Sequence, residues 1–566
     1  MTVGIVGSGP GAAAVDAALE DVGVETTNVD IESFGDSELT VVVGQVGDTI
    51  FERASEQALR RDVRWLAVEL GGVGGIPIVD AAVAGFSPET GCYECLSGRV
   101  SANLDPQADP AAAPSAHTTR FAGAVAGREA ARYVVEDADI FGRVVVVPFT
   151  EREFLPLPNC ACEPDRDRSV PREYVERTVD ESLARAERAL DKQFGIVQEV
   201  GEAESFPVPY YLARSSETSG FSDVSAARDA AGVAPDWNSA FMKALGEALE
   251  RYCAGIYRTE EFDAGTPAAI PDAVSPEAFV CEGSPDPDAE LLWADGEHLA
   301  TGERVSLPAE FVYYPPPERR HRPAVTTGLG LGNSGVEAIL SGLYEVIERD
   351  ATMLSWYSSF DPLALAIEDD TFETIERRAA SEGLEVTPLL LTQDVDVPVV
   401  AVAVHREEWP RFALGSSASL DVTEAALSAL CEALQNWMEL RGMGPEAAAD
   451  ALGAIGEYAE MPSAATAFID AETAIPADSA GPDEVPGGKA ELAVVLDRLD
   501  DAGLDAYAAR TTTRDVEYLG FEAVRVLVPA AQPMCFGTIY FGERAEAVPR
   551  DLGFTPELDR DHHPFP

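Results

Sequence analysis

The sequence predicts a Rossmann-like α/β region at the N-terminus, followed by a larger α+β region. Three observations carry this. Residues 2–62 alternate strand and helix patterns around a Gly-rich turn. Four cysteines stand in two close pairs towards the end of the first region. Three amphipathic segments spread along the second region repeat one acidic pattern.

Thr2-Val-Gly-Ile-Val6 reads as an apolar strand, and Gly7-Ser-Gly-Pro-Gly-Ala12 opens a helix. Val24–Asp30 and Leu39–Gly44 read as the next strands, giving β-α-β-β-α over 2–62. Such a Gly-rich turn suits a phosphate at a helix N-terminus, and Asp30 stands where a ribose-binding acid would. A fold can outlive its ligand, and this region is read as a scaffold without its nucleotide.

The cysteine pairs are Cys92-Tyr-Glu-Cys95 and Cys160-Ala-Cys162. Four thiolates make a closed tetrahedral Zn2+ site of the structural kind. A redox pair is the other reading. Cys253, Cys281, Cys431 and Cys535 are scattered and read as packing residues. The stretch Cys162–Pro171, rich in Pro and charge, reads as a linker. Residues 172–194 are expected to form a charged helix. An acidic, loop-rich stretch near 460–488 is expected to be a surface excursion. Leu492–Leu499 reads as helix, and Asp505–Arg510 and Val524–Val528 as strands.

The repeated pattern is Leu245-Gly-Glu-Ala-Leu-Glu-Arg-Tyr252, Leu343-Tyr-Glu-Val-Ile-Glu-Arg-Asp350 and Leu430-Cys-Glu-Ala-Leu-Gln-Asn-Trp437. Apolar residues recur at helical spacing in each. An acid three residues before a second carboxylate or amide shares a helix face with it. Like charges at that spacing cost about 0.2–0.5 kcal/mol. A bound hard cation such as Mg2+ would offset the cost through oxygen ligands. Glu337 and Glu424 lie eight residues before Glu345 and Glu432, near the same stripes. Asn333 sits in Gly328-Leu-Gly-Leu-Gly-Asn-Ser-Gly335, whose entry into a helix offers free N–H groups to phosphate. A solvent-facing polar stripe is the plain alternative for any one of these helices.

Composition narrows the classes. The chain has 566 residues, 99 Asp and Glu against 40 Lys and Arg, a net charge of −59 and a pI near 4.2. Its only lysines are Lys192, Lys243 and Lys489. Acids interspersed with periodic apolar residues are not a disordered tail. They fit a halophilic protein in a salt-rich cytosol, where screening weakens self-repulsion. The charge disfavours nucleic acid. No apolar run reaches the ~20 residues of a membrane span, and no signal peptide is visible, so a cytoplasmic protein is expected. His117, His298 and His405 have no partner at metal spacing. Arg319-Arg-His-Arg322 is the one basic run and reads as a solvated loop.

Ser239–Tyr252, Gly332–Ile339 with Glu345–Asp350, and Glu432-Ala-Leu-Gln435 resemble the nucleotide-binding motifs of the YcaO family. The resemblance covers about 178–566. It implies an enzyme that binds ATP and Mg2+ through acidic helices and phosphorylates a peptide amide oxygen. Glu247, Glu250, Asn333, Glu337, Glu345, Glu348, Arg349 and Gln435 would then hold the nucleotide and metal, with catalysis resting on Glu345, Glu348, Arg349 and Pro566. Two positions depart from the family pattern. Lys243 stands where a Ser is usual, and Gly232-Val-Ala234 where Gly-Lys-Gly is.

Gly85–Asn103, with Gly91-Cys-Tyr-Glu-Cys-Leu96 and Arg99, resembles the ThiF-like partner domain of azoline-forming cyclodehydratases. This implies a structural zinc on Cys92, Cys95, Cys160 and Cys162, but the region leaves no room for a leader-binding winged helix. The ending Asp561-His-His-Pro-Phe-Pro566 resembles the Pro-rich tail of the azoline-forming subgroup. In that subgroup the tail reaches the active site. Pro564–Pro566 is expected beside the ATP site, with His562 and His563 exposed to solvent.

The expectation is thus a ThiF-like partner domain over 1–165 fused to a YcaO domain over 166–566. The two would act together as an ATP-dependent cyclodehydratase forming thiazoline or oxazoline rings in a ribosomal peptide. A thioamide-forming enzyme and a non-catalytic peptide-binding scaffold are the alternatives. A peptide substrate, a homodimer, and a separate leader-binding protein or oxidase are the partners this implies.

Overall fold

The computed structural model describes residues 2–105, 113–136, 138, 140–163, 166–450, 454–471 and 473–566. Pro164 and Asp165, which fall in the expected linker and at the expected domain boundary, lie outside the described residues.

The N-terminal region holds strands β1 (Thr2–Val6), β2 (Glu25–Asn28), β3 (Leu39–Gln45), β4 (Trp65–Leu70), β5 (Ala81–Phe86), β6 (Arg143–Val146) and β7 (Thr150–Glu153). They form one sheet in the order β2-β1-β3-β4-β5-β6-β7. The first four are parallel, and β5 to β7 run antiparallel. Helices α1 (Pro10–Glu20), α2 (Ile50–Arg61), α3 (Tyr93–Ala102) and α4 (Ala116–Glu136) cover it. Side chains on a strand alternate between faces. Accordingly Val41 and Val43 of β3 pack with α1 and α4, while Val42 packs with α2 and α3. Both faces are buried, which is why these strands read as continuous apolar runs. The β-α-β-β-α reading of 2–62 holds, with the second strand shortened to Glu25–Asn28.

The rest of the chain is built from three sheets, each carrying one long helix. Helix α5 (Val179–Ala186) leads into β8 (Val197–Glu204), β9 (Tyr210–Ser215) and β10 (Asp229–Val233), an antiparallel sheet backed by α6 (Trp237–Ala254). Strands β11 (Asp263–Gly265), β12 (Leu291–His298) and β13 (Arg304–Pro308) follow, then the short α7 (Ala309–Val312), β14 (Leu329–Gly332) and α8 (Gly335–Trp356). Next come β15 (Leu363–Ala366), α9 (Asp370–Ser381), β16 (Glu385–Leu390), β17 (Val399–His405), β18 (Phe412–Ala418) and α10 (Val422–Ala448). Strands β19 (Ala474–Pro476), β20 (Tyr507–Arg510) and β21 (Glu522–Leu527) complete the sheets. The second sheet runs β11-β12-β20-β21-β14 with β13 on β12, and the third runs β18-β17-β16-β15-β19.

The three long helices carry the three sequence repeats, and each starts on a capping side chain. Asp236 accepts from Ser239 N, Ser334 from Glu337 N, and Asp421 from Thr423 N and Glu424 N. Each such cap is worth about 1 kcal/mol. Each helix also presses against its sheet at a strand glycine. A Cβ on Gly232, Gly330 or Gly415 would lie between 2.1 and 2.4 Å from helix backbone atoms. Only glycine permits that approach. Ala240 and Ala244, Ala338 and Gly342, and Ala429 and Ala433 supply the matching small residues on the helices.

Two expectations fail. The charged helix over 172–194 is reduced to α5 and one 3-10 turn, Glu187–Ala189. Thr178 and Glu181 form a reciprocal capping box that starts the helix late. Upstream, Arg177 is committed to the carbonyls of Asn333 and Gly520. The stretch near 460–488 keeps an exposed surface over much of its length but is not the loop expected, since it holds the helix Ser463–Ile469 and β19 and is anchored at a few points. Ala465 and Phe468 are buried in the main core, and β19 pairs in parallel with β15. The strand and helix expected after it are present as β20, β21 and the helix Lys489–Asp501.

Candidate functional site

The glycine contacts bring α6, α8 and α10 close enough to their strands for one contact to occur three times. Ala231 N donates to Glu247 Oε2 at 2.5 Å, Gly328 N to Glu345 Oε2 at 3.0 Å, and Ser416 N to Glu432 Oε2 at 2.6 Å. These are the three glutamates at the same place in the sequence repeat. All three line one cleft of 1040 Å3, together with Glu250, Asn333, Glu337, Arg349, Gln435 and Pro566. The acidic stripes therefore face inward, and the solvent-facing alternative does not hold.

Asn333 and Glu337 are held to each other. Asn333 N and Nδ2 donate to Glu337 Oε2 at 2.8 and 3.1 Å. Ser182 Oγ donates to Asn333 Oδ1 at 2.8 Å, and Arg177 Nη1 to Asn333 O at 2.9 Å. Gln435 donates to Glu439, which also accepts from the Tyr210 hydroxyl at 2.6 Å.

Glu348 stands apart from this set. Its carboxylate turns away from the cleft lining, accepts from Ser416 Oγ at 2.7 Å and lies 3.4 Å from Arg349 Nη1. Its place is behind Arg349. Glu424, eight residues before Glu432, is likewise absent from the lining and accepts from Ser419 Oγ.

Crowding of the carboxylates shows in their acidity. Burial, then Glu345 and Glu247, pushes Glu250 up to about 8. Glu247 and Glu432 are also raised, chiefly by burial. A group of buried acids that resists ionisation is the donor set a divalent cation neutralises, and carboxylate and amide oxygens match Mg2+. Arg525, 3% exposed, sits close behind, its fork held by the carbonyls of Val325 and Thr326. Burial, then Arg322, lowers it to about 9.

Several cleft residues escaped the sequence reading. Glu432 was legible, since it occupies the repeat position of Glu247 and Glu345. Lys243 lies one turn before Glu247 and lines the cleft. Arg177 and Ser416 arrive from distant elements and carry no local signal.

The tail also differs from expectation. Pro566 reaches the cleft, where Arg349 Nη1 donates to its main-chain oxygen at 3.3 Å. His563 is not exposed. It is 1% accessible, and its Nε2 pairs with Cys535 O at 2.9 Å. His562 is half-buried. Phe565 explains both, because its ring is buried in the core beside Phe468 and draws the segment in. The basic run is solvated only in its first half, where Arg319 and Arg320 are exposed. His321 pairs with Glu310 at 2.8 Å, and the Arg322 guanidinium lies 4.7 Å from the Phe311 ring centroid.

The four paired cysteines converge. Cys92 Sγ is 3.8 Å from Cys95 Sγ and 3.6 Å from Cys160 Sγ, and Cys95 Sγ is 3.4 Å from Cys162 Sγ. All four sulfurs lie within 4.8 Å of one another, and none forms a disulfide. A tetrahedron with Zn–S bonds of about 2.3 Å puts its sulfurs about 3.8 Å apart, so the set fits zinc. Among the described residues these four sulfurs lie close enough together to hold one metal ion. Cys281 is half-buried, and Cys253, Cys431 and Cys535 are buried as packing residues. A second cleft, of 830 Å3, opens at the turn Gly7–Gly9 and is lined by Asp30. No helix among the described residues is long and apolar enough to cross a membrane.

Comparison with known proteins agrees with the cleft. The family model described as YcaO cyclodehydratase, ATP- and Mg2+-binding, matches residues 231–532, just over half of the chain. An uncharacterized protein of Methanothermobacter thermautotrophicus is 29% identical over 301 residues, 51% of this chain and 78% of that protein. Among solved structures, a heterocyclase in complex with substrate and cofactor aligns with a TM-score of 0.76 at 21% identity. That alignment covers 100% of this chain and 85% of the heterocyclase. YcaO from Methanopyrus kandleri, bound with AMPPCP and Mg2+, aligns with a TM-score of 0.50 at 24% identity, over 63% of this chain and 91% of that one. At these identities the two structures establish a common fold.

Proposed function

The chain belongs to the YcaO family of ATP- and Mg2+-binding cyclodehydratases, and from that premise we propose that it closes azoline rings in a ribosomal peptide within the cleft between α6, α8 and α10. The observation that carries the reading is the convergence of Glu247, Glu250, Glu337, Glu345 and Glu432 on one cleft that also receives Arg349 and Pro566.

The substrates are ATP and a peptide carrying Cys, Ser or Thr. The peptide's thiol or hydroxyl gives up its proton to solvent and its sulfur or oxygen attacks the preceding backbone carbonyl carbon, whose C=O π electrons move to the oxygen. The oxyanion so formed takes the γ-phosphoryl group, and ADP leaves. Loss of phosphate and of the amide proton then leaves a C=N bond in a five-membered ring. Such chemistry asks the protein for positioning and charge neutralisation rather than for a covalent nucleophile. Mg2+ supplies charge neutralisation at the phosphate oxygens, and Glu247, Glu250, Glu345 and Glu432 are the residues suited to hold it. Asn333, Glu337 and Gln435 bracket the nucleotide, while Arg349 stands ready for the transferring phosphoryl group. Glu348 acts through Arg349 by fixing its guanidinium. Lys243 supplies a cation in the cleft where the Gly232-Val-Ala234 segment at the end of β10 has none.

The cysteine cluster we assign to structural zinc. Its closed arrangement supports ring formation over a thioamide-forming reaction, which would call on free cysteines to handle sulfur. We assign the N-terminal region, over 1–165, to a ThiF-like partner domain and 166–566 to the catalytic domain.

The test is to incubate the purified chain with Mg2+, ATP and a Cys-containing peptide at high salt. Loss of one water mass per ring, with one ADP formed for each, is the expected result. ADP formation without a mass change, or a gain of sulfur in place of oxygen, would reject ring closure.

A further inference from the structure

Between the cysteine cluster and α6 lies the short helix Arg514–Leu519. Arg514 Nη1 contacts Cys162 Sγ at 3.1 Å. The next residue, Asp515, receives two groups on the same carboxylate oxygen, Oδ2. Arg99 reaches it from α3, four residues after Cys95. The Tyr252 hydroxyl reaches it from α6 at 2.7 Å. Arg99 Nη1 also contacts the Tyr252 hydroxyl at 3.3 Å, and its remaining donors meet Leu155 O and Pro156 O. The side chains of Arg99, Tyr252 and Asp515 are all 0% exposed.

A buried ion pair of this kind is weak evidence for stability, because desolvation offsets most of the attraction. Its best-attested use is to specify one register among several. At its middle, α6 is tied to its sheet by the close approach at Gly232 and the Ala231–Glu247 bond, and towards its C-terminal end the Tyr252 hydroxyl adds a second polar tie. Tyr252 stands two residues after Glu250 and five after Glu247 on the same helix. A hydroxyl tied at a fixed point therefore sets both the rotation and the height of those carboxylates against Glu345. Among the described residues, none lining the cleft comes from the N-terminal region, so this link is an indirect one.

We propose that Asp515, with Arg99 and Tyr252, is a positioning clamp through which the N-terminal region sets the Mg-ATP affinity of a cleft that it does not line. The inference rests on the assignment of that cleft to ATP. Tyr252 and Asp515 touch no reacting atom and act through Glu250 and Glu247.

The experiment is calorimetric titration of the full chain with Mg-ATP at constant high salt. Tyr252→Phe keeps the ring and removes the hydroxyl. It is expected to weaken Mg-ATP about five- to tenfold, somewhat less than the loss of a whole hydrogen bond to a charged group, because Tyr252 acts on the nucleotide only through Glu250 and Glu247. In a Glu250→Gln background the same change is expected to cost less than about twofold, since the two then share one route to the nucleotide. Arg99→Met with Asp515→Leu removes the pair without stranding a buried charge and is expected to weaken Mg-ATP similarly. A lower melting temperature with unchanged Mg-ATP affinity would make the pair merely structural and overturn the proposal. So would additive effects of Tyr252→Phe and Glu250→Gln. An unsubstituted chain that binds no Mg-ATP would overturn the assignment of the cleft and the clamp together.

Discussion

Arg349 Nη1 donates to the main-chain oxygen of Pro566 at 3.3 Å, so the arginine of the second acidic motif touches the C-terminal segment inside the cleft. Phe565 is the anchor that makes this contact reproducible, being 1% exposed and packed edge-on to Phe468. Removing Pro566 alone keeps that anchor. Its removal is expected to slow azoline formation at least tenfold, read by mass shift, while Mg-ATP affinity stays within about twofold, as for an interaction made to the peptide rather than the nucleotide. Truncation before Phe565 would add about 3–5 kcal/mol of lost packing and blur the result. A full rate without Pro566 would detach the segment from catalysis.

The three strand-to-glutamate bonds lead to a second expectation. Glu247, Glu345 and Glu432 each accept a backbone N–H from their own strand, and burial with neighbouring acids raises Glu247 and Glu432. Without a cation such a cluster repels itself. Glu345→Gln is therefore expected to leave the melting temperature of the metal-free chain unchanged or to raise it by less than about 1 °C, since a like-charge contact is relieved. The rise that Mg-ATP gives to the melting temperature should be largely lost. Calorimetric scans with and without Mg-ATP measure both. An undiminished rise for Glu345→Gln and Glu432→Gln alike would remove the carboxylates from the metal site.

The sequence spoke clearly where a pattern was local and repeated. The motifs on α6, α8 and α10 showed through because 3.6-residue periodicity and the Glu spacing lie within a few turns. The Cys pairs showed through because ligand spacing is short. Strand glycines such as Gly415 looked like ordinary glycines, since only the packed helix reveals why a Cβ is forbidden there. Arg177, which holds Asn333 from 156 residues away, had no signal at all. Arg99 stood out in the sequence, but its pairing with Asp515, 416 residues away, did not. The anchoring of 460–488 was hidden because its acids outnumber the few apolar residues, Ala465 and Phe468 among them, that reach the core.

Sulfur geometry gives a third expectation. With Sγ separations from 3.4 to 3.8 Å, the purified chain should carry about one zinc, as a four-thiolate site requires. Cys92→Ser with Cys160→Ser breaks both pairs and is expected to reduce zinc, by metal analysis, to less than about a tenth. Because metal binding is coupled to folding, amide protection should fall first around α3 and 154–163. Full zinc retention by the double variant would place the metal elsewhere.

The last expectation concerns Glu69, on β4, which is 2% exposed and accepts from Gly75 N at 2.7 Å and from the Tyr93 hydroxyl at 3.3 Å. Burial is the largest influence and pushes its carboxyl up to about 7, against the lowering by its hydrogen bonds to Gly75, Gly74 and Tyr93. The folded chain thus keeps a proton that the unfolded chain releases near 4.5. A group raised in this way contributes its full stability below the unfolded value and loses that contribution as pH rises through about 7. Each pKa unit corresponds to about 1.4 kcal/mol, so the loss approaches about 3 kcal/mol between pH 5 and pH 8. Glu69→Gln keeps the shape and the acceptor but cannot ionise. It is expected to match the parent near pH 5 and to exceed it increasingly towards pH 8, in the hydrogen-exchange stability of the β4 and β5 amides at constant salt. Above pH 8 the difference should level off, because both states of the parent are then ionised. A difference that is the same at pH 5 and pH 8 would mean that Glu69 stays charged in its buried position, and that the Gly75 and Tyr93 bonds outweigh its desolvation.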